Sequence, residues 1–281
     1  MGDLSERQAR QLVRINRAVL YIESNTEEHL TLDQIAQVAC LSPFHFHRLF
    51  TATVGESVYD YIKRLRLERA ALHLRYSSDS VDTISERSGY AQPTSFSKAF
   101  RDRFGESPRK YRAGGGGTWP SQDQQRPQLA LVELPAQSVA YVRVVGSYSD
   151  SAQKAWQTLL PIAFQRGLVS EKTRAMGITY DSPEITDPDR IRYDACISLA
   201  AGSAVPDKLM CQTIAGGRFA RFRHRGAYEN LEASFQYIYG EWLPGQTEEL
   251  RDAPVFCHYH QLDPRQVAPE SLVTDIYLPL R

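Results

Sequence analysis

Two segments fifty residues apart carry the same residues in the same frame. FTATVGES (residues 50–57) and FRDRFGES (100–107) share Phe, Gly, Glu and Ser, and upstream Phe46 corresponds to Phe96. Glycine ends many helices through a positive φ, and serine caps the helix that follows. We therefore interpret the N-terminal half as two copies of one helical unit. The repeated residues form the scaffold, and the residues that differ face outward.

Local signals predict seven helices in this half. The first covers residues 8–24, and the others begin at Thr31, Ser42, Ser57, Val81, Pro93 and Ser107. Small residues mark the helix contact and the turn in each copy: Ala36 and Cys40 in the first, Ser85 and Gly89 in the second. Two helices joined by a tight turn, the second with an outward polar face, are typical of a helix-turn-helix unit.

The helix between the two units sets their predicted spacing. It has roughly 20 residues, which corresponds to about 30 Å of α-helix. Successive major-groove faces of a duplex lie ~34 Å apart. The sequence therefore predicts that one chain places two recognition helices in two adjacent major grooves of double-stranded DNA.

The charge distribution supports a nucleic-acid partner. The chain has zero formal net charge, but residues 61–112 hold 12 Lys and Arg against 6 Asp and Glu. A local basic excess is a modest indication of DNA binding, and a solvated surface is the alternative explanation.

The closing part of the second unit carries a specific family pattern. The turn SGY, the helix TSFSKAF and the run FGESPRKYR, between residues 88 and 112, resemble the AraC/XylS family of bacterial transcription regulators. The resemblance covers residues 8–112. It implies that residues 1–112 form an all-α DNA-binding domain of seven helices with two helix-turn-helix units.

The helical spacing sorts the candidate DNA contacts. Phe46, Leu49 and Phe50 face inward on the first recognition helix, and Phe96 and Phe100 do so on the second. The side chains left for DNA are Ser42, Phe44, His45, His47 and Arg48 in the first unit and Gln92, Thr94, Ser95 and Lys98 in the second. Arg101, Lys110 and Arg112 are expected to contact phosphates. His45 and His47 point apart on a helix, so we predict no shared metal.

A glycine-rich segment, residues 113–126, predicts a flexible linker. Residues 127–281 then alternate like strands, interrupted by helix-like stretches near 149–166 and 229–242. Segments 129–148 and 209–228 align at an offset of eighty with five shared residues, and RYDACISL resembles VTDIYLPL. We predict an α+β domain built from two strand–strand–helix–strand–strand repeats.

The second half resembles the GyrI-like domain of Rob-type and multidrug-sensing regulators. HRGAYENL (224–231), YGEWLP (239–244) and TDIYLPL (274–280) carry the resemblance. It implies a cleft between the helices and the sheet that binds an apolar or aromatic effector. The positions carried over are Tyr148, Trp156, Tyr228, Phe235, Trp242, Phe256, Cys257 and Tyr259. Cys257 stands where the family commonly has a glutamate, which puts a strong preference for cations in doubt.

Together these features predict a sequence-specific transcription regulator, an activator, that binds DNA, RNA polymerase and a small effector or a protein partner. No CxxC pair and no triad spacing are present, so we predict no metal, no cofactor and no enzymatic activity. The alternatives are a GyrI-like hydrolase and a toxin-sequestering protein fused to a DNA-binding domain. No apolar run approaches ~20 residues, and the cysteines are scattered, so we expect a cytoplasmic protein without a membrane span.

Overall fold

The computed structural model describes residues 6–114, 126–200, 202–206 and 208–281. The chain divides into two compact units, Met1–Gly116 and Gly117–Arg281. The predicted linker, residues 113–126, lies outside the described residues except at positions 113, 114 and 126. Within the described part, no helix is both long and apolar enough to cross a membrane.

The first unit contains the seven predicted helices. They are α1 (Glu6–Ser24), α2 (Leu32–Val38), α3 (Pro43–Val54), α4 (Val58–Tyr76), α5 (Val81–Arg87), α6 (Pro93–Phe104) and α7 (Pro108–Gly114). Side-chain caps begin several of them: Thr31 accepts from the Gln34 amide, and Ser57 accepts from the Asp60 amide. These bonds satisfy amides at the helix start that have no carbonyl partner within the helix. The capping residues seen in the sequence therefore mark where these helices begin.

The repeated residues form the core of this unit, as the sequence predicts. Phe46, Phe50, Phe96 and Phe100 are fully buried. Phe50 packs edge-on against Tyr61 at 5.5 Å, and Phe100 packs against Tyr111 at 5.3 Å. The glycines that follow, at positions 55 and 105, have φ of 84° and 78° and end α3 and α6 in the left-handed conformation. Each copy therefore uses the same aromatic contact and the same helix stop.

The two helix-turn-helix turns have the same backbone conformation but different residues. Gly89 has a φ of 74°, and Cys40, at the equivalent turn, has a φ of 52°. Cys40 is the only residue other than glycine with a positive φ in the described ranges. Glycine suits the second turn for a further reason, because a Cβ at position 89 would lie 2.7 Å from the Arg66 guanidinium. The small residues at the helix contacts, Ala36 and Ser85, are buried.

The described residues of the second unit include eight strands in one antiparallel sheet. They are β1 (Gln128–Leu134), β2 (Gln137–Val145), β3 (Ala175–Thr179), β4 (Arg192–Ser198), β5 (Met210–Ile214), β6 (Gly217–Arg225), β7 (Val255–Tyr259) and β8 (Val273–Pro279). Helix α8 (Tyr148–Gln165) follows β2, and α9 (Leu231–Tyr237) follows β6. A π-turn at Ile238–Trp242 continues α9.

The sheet order, β1-β6-β8-β7-β3-β4-β2-β5, confirms the two predicted repeats. The order reads the same from either end once β5–β8 are taken as copies of β1–β4. The register agrees, since Leu131 pairs with Ala220 and, eighty residues on, Cys211 pairs with Ala140. Gly177 pairs with Cys257, its own copy, at the pseudo-twofold axis. Each repeat gives its first strand to the other half, which the sequence pattern did not predict.

The two faces of this sheet differ in what they carry. On one face α8 packs Ala155, Leu159 and Ala163 against Ala140 and Ala195 of the strands. Successive strand residues alternate between the two faces, so Asp194, next to Ala195, lies on the opposite face. That face carries ion pairs such as Arg143–Asp194 and Arg223–Asp275. We call the face that packs against α8 the helix face.

Candidate DNA-reading and ligand-binding surfaces

Helix α3 presents its non-repeated residues to solvent. Phe44 is 66% exposed, and His45, His47 and Arg48 are exposed beside it. The Arg48 guanidinium lies 5.7 Å from the centre of the Phe44 ring, a cation–π arrangement that orients it along the helix surface. Ser42, the N-cap, accepts from the His45 amide at 3.5 Å, so its hydroxyl lies at the start of this surface.

Helix α6 presents the equivalent surface with different chemistry. Gln92, Thr94, Ser95 and Lys98 are all exposed. Gln92 is the N-cap residue, but its side chain makes no capping hydrogen bond and its amide group is free for another acceptor or donor. Thr94 and Lys98 occupy the positions of Phe44 and Arg48 in the other copy. The two recognition surfaces therefore share a backbone and differ in the groups offered to a partner.

Much of the basic excess in residues 61–112 is used inside the domain. Arg64, for example, bridges Glu56 at 2.7 Å and Glu68 at 3.1 Å. The arginines engaged in this way are Arg64, Arg66, Arg69, Arg87, Arg103 and Arg112. The exposed cations of this segment include Lys98, Arg101, Arg109 and Lys110. The charge count alone therefore overstated the positive charge available to a phosphate backbone.

Arg112, predicted to contact a phosphate, instead binds backbone carbonyls of its own domain. Its guanidinium donates to the Leu74 carbonyl at 3.3 Å and to the Asp79 carbonyl at 2.6 Å. It closes the C-terminal end of α4, where helix carbonyls lack partners, so it serves the scaffold. Arg101 remains exposed, and Lys110 makes only a loose pair with Glu106 at 3.6 Å. Arg109, an exposed neighbour that sequence reasoning missed, lies beside Lys110 on α7.

On the helix face of the second unit, five aromatic side chains form one group, which we call the aromatic cluster. Tyr148 lies 6.5 Å from Tyr193, Trp156 lies 5.8 Å from Tyr259, and Tyr228 lies 5.2 Å from Tyr259. The Trp156 indole donates to the Tyr193 hydroxyl at 3.0 Å, and that hydroxyl lies 3.2 Å from the hydroxyl of Tyr259. The cluster brings together four predicted residues and adds Tyr193.

The aromatic cluster lies directly over the pseudo-twofold axis. A Cβ at Gly177 would come within 2.3 Å of the Tyr193 hydroxyl and 2.9 Å of the Tyr259 hydroxyl, so only glycine leaves room for both rings. Cys257, its partner across the axis, is fully enclosed, and burial raises the pKa of its thiol to about 12. Burial also raises the pKa of Tyr228 to about 12, and its hydroxyl is buried without a hydrogen-bond partner.

Phe256 does not join the cluster, which corrects its predicted role. It lies on the opposite face of the sheet, stacked on Tyr277 at 4.7 Å, because it neighbours Cys257 along β7. Trp242, the last residue of the π-turn that follows α9, packs against Phe222 at 4.9 Å. Phe235 is half-buried on α9. Tyr193 was not among the predicted ligand-binding residues. It precedes Asp194 on β4 and therefore points to the helix face, opposite to Asp194.

These features define a class of protein: a DNA-binding transcription regulator with a second, small-molecule-binding domain. Residues 127–281 match the family described as GyrI-like small molecule binding domain, and residues 35–114 match a helix-turn-helix domain family. The chain belongs to the GyrI-like family, and its N-terminal domain is of the AraC type, as in Rob-like regulators.

Two relatives and one solved structure illustrate the similarity. The chain is 32% identical over 112 residues to "Probable transcriptional regulator YgiV" of Escherichia coli (39% of this chain, 68% of that protein). It is 21% identical over 285 residues to "Transcriptional regulator Rob" of Salmonella typhimurium (95% and 98%). A solved structure described as a transcriptional regulator (AraC-type DNA-binding domain-containing proteins) from Chromobacterium violaceum is similar with a TM-score of 0.36 at 32% identity, covering 38% of this chain and 95% of that one.

Proposed function

We propose that α3 and α6 enter two adjacent major grooves of double-stranded DNA and select its sequence. One observation carries this proposal: at equivalent positions of the two copies, the phenylalanines are fully buried while the variable side chains are exposed. A scaffold repeated twice with two different outward faces suits a protein that reads two different half-sites. Helix α4, with 19 residues, joins the two units at about the required length.

Each exposed side chain has a chemical match on DNA. Arg48 suits the O6 and N7 acceptors of guanine, Gln92 suits adenine, and Phe44 can pack on a thymine methyl group. Ser42, His45, His47, Thr94 and Ser95 complete the base-facing set. Arg101, Arg109 and Lys110 bind phosphates, which supports affinity and its salt dependence but carries no sequence information.

We expect Arg48→Ala to weaken binding to a selected duplex by about 1–3 kcal/mol, roughly 5- to 150-fold, and to relax specificity at one position. Arg101→Ala should weaken selected and random duplexes alike and lower the salt slope by about one. Fluorescence anisotropy over a salt series measures both. Lys154→Ala, which removes an exposed charge from α8, is the matched control. Equal losses in all three variants would count against base reading by α3.

We propose that the aromatic cluster binds the small-molecule effector. Five rings and the unpartnered Tyr228 hydroxyl offer flat apolar surface and one hydrogen-bonding group. Cys257, buried beneath the cluster, stands where the resembling family commonly has a glutamate, so we expect a neutral planar ligand rather than a cation. Because the rings contact one another, binding requires some of them to move apart.

A tryptophan assay tests this site. Trp156 belongs to the cluster, whereas Trp242 packs against Phe222, so a bound aromatic ligand should quench Trp156 selectively. In a screen of planar apolar compounds we expect saturable quenching that Trp156→Phe removes and Trp242→Phe keeps. If Trp242→Phe removes the signal and Trp156→Phe keeps it, the ligand binds elsewhere.

We further propose that the protein acts in the cytoplasm, on RNA polymerase at its promoters, and without enzymatic turnover. The groups that would serve a hydrolase do not converge: Glu229 and Glu232 are exposed, and Cys257 and His258 face opposite sides of the sheet. Transcription with purified polymerase tests activation.

A panel of reactive esters and epoxides tests hydrolysis. Hydrolysis that Glu229→Gln abolishes would favour the alternative that the protein is an enzyme. Tight ligand binding without any change in transcription would favour sequestration.

A further inference from the structure

Two histidines and one aspartate meet on the sheet face opposite the helices. His258 of β7 pairs in register with Asp275 of β8, and His260 follows two residues later on the same side. The His260 Nε2 atom lies 2.8 Å from Asp275 Oδ2, and the two imidazole rings lie 4.6 Å apart. One ligand-type atom from each of the three residues lies within 4.8 Å of the other two.

The other half of the domain shows what the scaffold alone requires at these positions. By the pseudo-twofold relation the counterparts are Ile178, Tyr180 and Asp194, and Ile178 pairs with Asp194 as His258 pairs with Asp275. There a Tyr180 hydroxyl donates to Asp194 at 2.7 Å. A hydroxyl donor and an apolar side chain therefore satisfy the fold. His260 keeps the hydrogen bond to the aspartate that Tyr180 makes in the other half, but the fold does not require an imidazole at His258, where the other half has Ile178.

The surroundings favour a metal that prefers nitrogen. Arg223 holds Asp275 through two hydrogen bonds of 2.8 Å, which fixes the carboxylate and offsets its charge. Two imidazoles and a partly neutralised carboxylate suit Zn²⁺, Cu²⁺ or Ni²⁺ better than Mg²⁺ or Ca²⁺, which prefer several charged oxygens. Arg223 and Arg174 add positive charge nearby, so we expect moderate rather than tight affinity.

We propose that His258, His260 and Asp275 form a binding site for a divalent transition-metal ion, represented by Zn²⁺. His258 also lines an open cleft with Met176, Phe256 and Tyr277, which gives the ion a path from solvent. Three protein ligands leave at least one coordination position for water or a small anion. The site is distinct from the aromatic cluster, which lies on the other face of the sheet, and it goes beyond the sequence prediction of no metal.

The test replaces each histidine by the residue of the other half. His258→Ile and His260→Tyr remove the imidazoles while each keeps a side chain that the same fold already accommodates. The exposed thiols Cys40 and Cys211 are replaced by serine throughout, so that they do not bind zinc. His47→Gln, on the DNA-reading surface, is the control. Calorimetric titration of the full chain with ZnCl₂ and MgCl₂ measures binding, and thermal unfolding followed by tryptophan fluorescence measures stabilisation.

We expect one saturable Zn²⁺ site per chain, no comparable Mg²⁺ binding and a raised midpoint of unfolding. Each symmetrising variant should weaken Zn²⁺ by more than about tenfold, and His47→Gln should leave it unchanged. Cobalt(II) absorption of the protein that carries only Cys40→Ser and Cys211→Ser should show nitrogen and oxygen ligation without thiolate bands. The proposal is overturned if the protein with only the two cysteines replaced binds no Zn²⁺, if both histidine variants bind Zn²⁺ as tightly as that protein does, or if its cobalt spectrum shows thiolate bands.

Discussion

Replacing Asp194 by alanine is expected to lower the free energy of unfolding of the second domain by about 3–5 kcal/mol, the loss typical of breaking a buried ion pair. Asp194 is fully buried and holds Arg143 at 2.7 and 3.0 Å. It also accepts from Tyr180 and Gln212, both at 2.7 Å. Removing the carboxylate takes away the ion-pair partner of the buried Arg143 guanidinium and one hydrogen-bond acceptor of Tyr180 and of Gln212.

The second half supplies the matched comparison. Asp275 makes the equivalent pair with Arg223, but the Arg223 side chain is 25% exposed, whereas the Arg143 side chain is 9% exposed. Asp275→Ala in metal-free buffer should therefore cost less, about 1–3 kcal/mol, since water can solvate the arginine that remains. Trp156 and Trp242 pack inside this domain, and residues 1–114 contain no tryptophan, so the fluorescence of these two residues during urea unfolding reports on this domain and not on the DNA-binding one. If both variants lose the same free energy of unfolding, the greater contribution of the more buried Arg143–Asp194 pair is contradicted.

Replacing Phe50 by alanine is expected to destabilise the DNA-binding domain by about 3–5 kcal/mol and to abolish DNA binding. Phe50 is fully buried between Phe46 and Tyr61, with ring centres 5.5 Å away in each case. The cavity left behind removes contacts from both α3 and α4. Far-UV circular dichroism during heating should show an earlier loss of helix, while the tryptophan transition of the second domain stays in place.

Phe44→Ala is the matched variant on the other side of the same helix. Its ring is 66% exposed, so the free energy of unfolding should change by less than about 0.5 kcal/mol. DNA affinity should nevertheless fall, because the ring is lost as a base contact and as the platform that orients Arg48. A stability loss as large as that of Phe50→Ala would show that Phe44 belongs to the scaffold and not to the reading surface.

The sequence predicted what depends on local signals. Serine caps, helix-ending glycines and phenylalanines four residues apart act within a few residues of one another, so the helix starts and the buried faces follow directly. The offset of eighty between the strand repeats was visible because the two copies share residues at matching positions. The exchange of β1 and β5 between the halves could not be predicted, since strand pairing joins residues far apart in sequence.

The site predictions divided along the same line. The role of Arg112 depends on which backbone carbonyls its side chain can reach in the folded domain. The spacing of residues in the sequence does not determine this. Phe256 was different, because a signal existed: adjacent residues of a strand face opposite sides, so Phe256 and Cys257 could not both line one cleft. Tyr193, by the same alternation, was available as a candidate and was missed.

The central claim is that one chain places two recognition helices in adjacent major grooves on one side of DNA. The most direct measurement compares the affinity for a duplex selected from a random pool with that for the same duplex carrying about five extra base pairs, half a helical turn, between its two half-sites. We predict that this insertion lowers affinity toward that of random DNA, because α4 fixes the spacing. Unchanged affinity for the lengthened duplex would contradict the account.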